Sequence, residues 1–356
     1  MRKACRVSRP ILMALETAGL LLFLMVTSAG IASAQPGEQR KPEQIRRQLE
    51  EKLEQQIEYI GQYPDHSGGY LARGEVYAEL SWRSKDENER AFFAERALHD
   101  YAMAIQLEPH YYRPYVARAQ LRYVEFLANF DDILADYLMA VRLLEKAYPQ
   151  DGRSQRPDDS PLPEVFNAIS GLYLNRAEAL LRNPQLLASL DLRFKEYSPW
   201  QDFDSAISYA QKSAQKPVDL WNVINALLRK GDAAYQGREY AVALAAYQSD
   251  TRYLGKDYKL LCVNALSKEW CERNQRQMTL TFSIRRGRAY LKLKQPERAL
   301  AEFNVYFAAA YHLECLDIFL LRAQAHWALG NDEQALTDEE SAKKAGTAPC
   351  PFDIQK

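Results

Sequence analysis

The sequence is short of the residues that do chemistry. Its five histidines, His66, His99, His110, His312 and His326, are scattered and never take the spacing of a zinc-binding pair. A lone histidine more often packs or caps than catalyses, and His326 stands in a slot that tyrosine fills elsewhere in the chain. No glycine-rich loop able to cradle a phosphate and no nucleophile elbow occurs in the 356 residues. Serine-to-lysine spacings at Ser213 and Lys216, and at Ser341 and Lys344, lack companion motifs and read as solvated helix faces. Charge of one sign is missing too. The 46 basic residues against 47 acidic ones leave a net charge of −1, which excludes the basic footprint of a nucleic-acid-binding surface. These absences predict a protein that is no enzyme and holds neither cofactor nor metal.

Residues 1–34 are of a different kind. Arg2, Lys3, Arg6 and Arg9 precede the apolar run GLLLFLMV, and ASA stands before Gln35. That is the layout of a secretory signal peptide cleaved after Ala34. Glu16 lies inside the apolar stretch, and the uncharged run from Thr17 to Ala34 approaches the length of a membrane span, so an uncleaved anchor is the alternative. Cleavage removes four basic residues and one acidic residue and leaves a net charge of about −4. No membrane span is then expected in the mature chain, which would be periplasmic or secreted. Cys5 leaves with the signal. Cys262, Cys271, Cys315 and Cys350 remain, an even number in an oxidising compartment, which predicts two disulfides with three possible pairings.

The rest of the chain repeats itself. A small residue is followed twelve positions later by alanine at Gly231 and Ala243, at Gly287 and Ala299, and at Ala323 and Ala335. Four residues beyond each alanine stands Tyr247, Phe303 or Glu339. Two antiparallel helices approach closely only where small side chains meet, and aromatic rings fill the remaining space. Gly330 suits a helix end that requires a left-handed residue, with Asn331 or Asp332 as the next cap. Earlier copies are stretched. Gly74 and Tyr77 keep the spacing, but Ala97 comes eleven residues late, behind the charged insert SWRSKDENERA. Ala119 leads to Ile133, Tyr137 and Ala140, two residues late. A third copy is read from Phe166, Ile169, Ser170 and Tyr173 to Ala206 and Ala210, with a long insert around NPQLLASLDLRFKEYSPW. Upstream, Ile45, Leu49, Leu53, Ile57 and Ile60 form one helical stripe that ends at Pro64, as expected of a capping half-repeat.

This pattern resembles the tetratricopeptide repeat, a helix-turn-helix unit of about 34 residues. The family's usual first-helix tryptophan is missing throughout. The resemblance implies an all-α fold, an α-solenoid of stacked antiparallel helix pairs coiled as a right-handed superhelix. The expected organisation is a signal peptide (1–34), a capping helix (35–64), repeats 1 and 2 (65–149), a proline-rich linker (150–163), repeats 3 to 6 (164–349) and a tail (350–356). The linker follows from four prolines without apolar periodicity in YPQDGRSQRPDDSPLPE, and a bend is expected there.

In the last repeat the two helices are each about 20 Å long, and an antiparallel return brings residue 350 back beside residue 315. This favours a disulfide between Cys315 and Cys350, closing a terminal repeat that has one neighbour, with a contribution of roughly 3 to 4 kcal/mol. Cys262 and Cys271 would close the small excursion CVNALSKEWC.

The family resemblance also implies a use. First helices line a concave groove that receives a peptide or a partner's helix, and in this chain that lining comprises Asn175, Arg229, Asp232, Tyr235, Arg285, Arg288, Leu291, Lys292 and Trp327. Arg229, Arg285, Arg288 and Lys292 make it locally basic, which suits an acidic segment or a free chain terminus. The family's carboxylate clamp is not reproduced, since Val116 and Leu71 stand where basic side chains would be. Most of the 22 tyrosines are expected in the core, with Tyr111, Tyr112 and Tyr115 as partly exposed exceptions. The expected role is an exported scaffold or adaptor for a protein or peptide partner. The alternative is a structural or regulatory subunit of a cell-envelope enzyme, secretion or polysaccharide-export assembly.

Overall fold

Helix after helix is laid down by alternating apolar stripes and proline or acidic starts. The computed structural model describes residues 42–123, 126–148, 160–183, 185–186, 197–214, 217–249, 253–254, 268–309 and 316–345. Over these it forms α1 (Pro42–Gln62), α2 (Ser67–Arg83), α3 (Glu87–Leu107), α4 (Arg113–Arg122), α5 (Phe126–Ala147), α6 (Leu162–Arg182), α7 (Pro199–Ser213), α8 (Pro217–Gln236), α9 (Tyr240–Gln248), α10 (Lys268–Lys292), α11 (Pro296–Ala309), α12 (Leu316–Ala328) and α13 (Asp332–Ala345). No strand occurs among the described residues. The fold is all-α, built from stacked antiparallel helix pairs behind a leading helix. The signal segment, residues 150–159, Cys262, Cys315, Cys350 and the tail lie outside the described residues, as does the side chain of Cys271.

The chain divides into two compact blocks, up to Leu172 and from Tyr173 onward, with the division inside α6. Leu162 and Pro163, expected in the linker, already belong to that helix.

In the first block α1 lays Leu49 beside Val76 and Leu80 of α2, with Ile45 and Leu53 packed around them. Ile57, expected on the same stripe, is 48% exposed. Asp86 caps α3 by accepting from the Glu89 amide at 2.8 Å, a contact that satisfies one of the orphan donors at a helix start. Tyr101 fills the space over Gly74, where an added Cβ would stand 2.7 Å from its ring. Tyr111 and Tyr112 are half-buried, whereas Tyr115, expected partly exposed, is buried and donates to the Pro109 carbonyl at 3.1 Å.

In the second block the tight turns after α8, α10 and α12 share one geometry. Arg238, Lys294 and Gly330 adopt φ of 64°, 57° and 73°. In each turn the amide three residues past the helix end reaches back across it, Glu239 to Ala234, Gln295 to Tyr290 and Asn331 to His326. The left-handed residue expected at Gly330 is therefore present, and two non-glycine residues hold the same conformation. Ser213, expected on a solvated face, is instead fully buried and donates to the Ala210 carbonyl at 2.8 Å.

The third pair corrects the reading of its register. The small residue at the crossing is Ala177, not Ser170, and it packs against Phe203 and Ala206. Ala206 thus matches Ala104 and Ala140 of earlier pairs, not Ala97 and Ile133. Pro199 stands at the position that Ala97 and Ile133 take in the earlier pairs, which hides this register in the sequence. The insert between the two helices is accordingly shorter than the sequence suggested.

Burial raises the phenol pKa of Tyr101, Tyr137 and Tyr247 well above the ordinary value, Glu75 and Asp100 adding to it at Tyr101, and Tyr123 and Asp136 at Tyr137. Their contribution to stability is intact below about pH 10 and is lost as pH rises past it, because the unfolded chain ionises there and the native one resists. An alkaline titration followed by absorbance is expected to show these phenols ionising only together with loss of helical circular dichroism.

Candidate partner-binding site

The site is built on first helices, whose arginines are largely engaged within the fold. Within five of the six pairs an arginine that immediately precedes the small crossing residue reaches the acid that immediately precedes the large residue of the second helix. Arg73 holds Asp100 at 2.8 and 2.7 Å, Arg118 holds Asp136 at 2.9 and 2.6 Å, and Arg176 holds Asp202 at 2.7 and 2.6 Å. Arg286 and Glu302 meet at 2.8 and 2.9 Å, and Arg322 and Asp338 at 2.8 and 2.5 Å. All are two-point contacts, the strong form of the guanidinium–carboxylate pair. Burial is the largest single influence on Arg176 and lowers its pKa, but the hydrogen bond and charge of Asp202, with smaller contributions, leave it raised.

A second set of pairs links consecutive first helices. In the first block Arg113 of α4 donates to Glu75 of α2 at 3.1 Å. In the second block Arg229 of α8 donates to Glu178 at 2.5 Å and to the Asn175 carbonyl oxygen at 2.9 Å, both on α6. Arg285 of α10 donates to both carboxylate oxygens of Asp232 on α8, at 2.6 and 2.8 Å. Two of the four cations predicted to make the groove basic are therefore each held by an acid from the preceding first helix.

The predicted residues fall into three places. Asn175 and Arg229 meet at Glu178. Asp232, Tyr235, Arg285 and Arg288 surround one narrow cleft with Tyr247, whose hydroxyl donates to Asp232 at 2.7 Å. Burial first, then the Asp232 carboxylate, pushes that phenol pKa up. The Arg288 guanidinium lies 4.8 Å from the centre of the Tyr235 ring, within cation–π range. Leu291, Lys292 and Trp327 stand apart from the cleft. Leu291 packs beside Tyr290 and Phe303, Lys292 is exposed, and Trp327 is 43% exposed while its indole N–H donates to Glu339 at 2.9 Å.

Tyr235, Leu291 and Trp327 each stand four residues after the small residue of their helix, so they occupy one register row on α8, α10 and α12. Leu320, 38% exposed, adds to the apolar surface of α12. His326 sits near Asp338 and Asn331, at 4.0 and 3.4 Å. Among the described residues no group of three or more histidine, cysteine or acidic side chains could hold a metal, and no helix is long and apolar enough to cross a membrane.

The buried arginine–acid pairs escaped sequence reading, although their signal was in plain view. Arg-Gly or Arg-Ala recurs at 73, 118, 176, 286 and 322, and an acid precedes Tyr101, Tyr137, Phe203, Phe303 and Glu339. Reading small and aromatic residues alone passed over the charged neighbour of each.

No family model matches the chain, and no curated protein does. Solved structures do. One is PilW, titled a widely conserved type IV pilus biogenesis factor, at 15% identity and a TM-score of 0.31, covering 76% of this chain and 92% of that one. Another is pilF of Pseudomonas aeruginosa, at 12% identity and 0.31, covering 77% and 92%. A third is a tetratricopeptide repeat protein from Parabacteroides merdae, at 15% identity and 0.28, covering 84% and 94%. These likenesses extend to the helical-repeat fold alone.

Proposed function

We propose that the chain is an exported adaptor that holds a partner protein on its first helices and performs no chemistry of its own. The observation that carries this reading is the row Tyr235, Leu291 and Trp327, flanked by Arg288 and Lys292, at one register position of successive first helices. Apolar anchors beside cations suit an extended acidic segment with an apolar side chain every few residues. Arg288 and Lys292 are the cations beside this row, and a partner's carboxylates would be read there. Export rests on the amino-terminal pattern, and the mature protein begins at Gln35.

The test is crosslinking in the cell-envelope fraction followed by mass spectrometry. Wild-type protein is expected to capture a discrete partner that Trp327→Ala, or Arg288→Glu with Lys292→Glu, releases while helical circular dichroism stays unchanged. A partner retained by all of these variants sinks the reading. The same spectra give the mature mass, and a mass that includes residues 1–34 replaces secretion by anchoring. Export also predicts two disulfides, Cys315 with Cys350 and Cys262 with Cys271. Alkylation of unreduced protein should find no free thiol, and Cys315→Ser should free Cys350 alone.

A further inference from the structure

One helix pair breaks the rule that the others keep. In the fourth pair Lys230 stands where the others have arginine, directly before Gly231, and Ala246 stands where they have an acid, directly before Tyr247. The Lys230 side chain is only 16% exposed and lacks the carboxylate its counterparts have. It reaches instead to Asp204 of α7 at 2.5 Å, an acid whose own side chain is 65% exposed and which is therefore largely screened by water.

The missing acid leaves room. A groove of about 550 Å³ opens between α7, α8 and α9, with Lys230, Ala245 and Ala246 in its wall. Ile207, Leu227 and Val242 give it an apolar side, and Gln211, Ser249 and Tyr253 give it a polar edge, where Gln211 donates to the Tyr253 hydroxyl at 2.5 Å. Asp204 and Gln248 complete a lining of mixed polarity, and the volume lies in the range of sites for small molecules.

We infer that this groove binds a small carboxylate with an apolar body, whose carboxylate takes the place of the acid missing at Ala246. An ammonium has three donors, and Asp204 engages one of them. A bound carboxylate on the Ala246 side receives another, in a setting where charge-assisted bonds are strong. Its apolar body lies on Ile207, Leu227 and Val242. None of these residues belongs to the row proposed for the protein partner, so each site stands or falls by itself.

The experiment uses the mature chain and calorimetric titration with N-acetyl-L-leucine, hexanoate and N-acetyl-L-leucinamide. The two carboxylates are expected to bind, and the amide, of equal bulk but uncharged, to bind weaker by about tenfold or more. Lys230→Met is expected to lose the carboxylates while keeping its circular dichroism. Ala246→Asp supplies the acid from within, so it is expected to abolish binding and to raise the melting midpoint by about 2–4 °C. Equal binding of amide and acid, or no binding by either carboxylate, overturns the proposal. A lowered midpoint in Ala246→Asp overturns its geometric premise.

Discussion

Asp202→Ala is expected to lower the stability of the second block by about 3–5 kcal/mol, because it leaves a buried guanidinium without its counter-charge. The Arg176 side chain is 11% exposed and that of Asp202 is 3% exposed, so water cannot replace the lost partner. Tyr197 also donates to Asp202 and would lose its acceptor. The rings of Tyr173 and Tyr197 lie 5.7 and 5.2 Å from the guanidinium and cannot substitute for a carboxylate. Urea unfolding followed by circular dichroism measures the effect. The double replacement Arg176→Met with Asp202→Leu is expected to recover most of the loss, since removing both charges also removes the cost of burying them. A surface pair such as Arg83 with Glu79, far more exposed, should cost only about 0.3–0.5 kcal/mol when broken. Equal losses at the two sites would refute burial as the cause.

The second large effect is steric. Phe303 is fully buried against Gly287, and a Cβ on that glycine would stand 2.3 Å from the ring. Phe303→Ala is expected to cost about 3–5 kcal/mol through lost burial and the cavity left behind. Gly287→Ala alone is expected to cost about 1–3 kcal/mol by forcing the ring aside. Together the two should cost less than their sum, because the new methyl enters space the ring has vacated. Simple additivity would mean that the two residues do not share that space.

The same contact explains which parts of the fold could be read from the chain. Gly231 with Tyr247 and Gly287 with Phe303 announce a crossing because each needs a missing side chain on one helix and a large one on the other. Where the small residue is alanine and the turn is long, as at Ala177 and Phe203, the signal thins and the register slipped by two helical turns. The site was less legible for a different reason. A sequence shows that Arg229 and Arg285 are cations but not that Glu178 and Asp232 arrive from the neighbouring helix more than fifty residues earlier. Tyr235, Leu291 and Trp327 were legible because their register is set by the same small residues that fix the crossing.

The arginine and its acid are separated by 16 residues in the last two pairs, by 18 in the second and by 26 or 27 in the third and first. The mate is thus recognised whatever the length of chain between. Each of these five hairpins carries its own key and lock, and the loop joining them becomes a free variable, open to insertions that would derail a protein whose alignment depended on turn length.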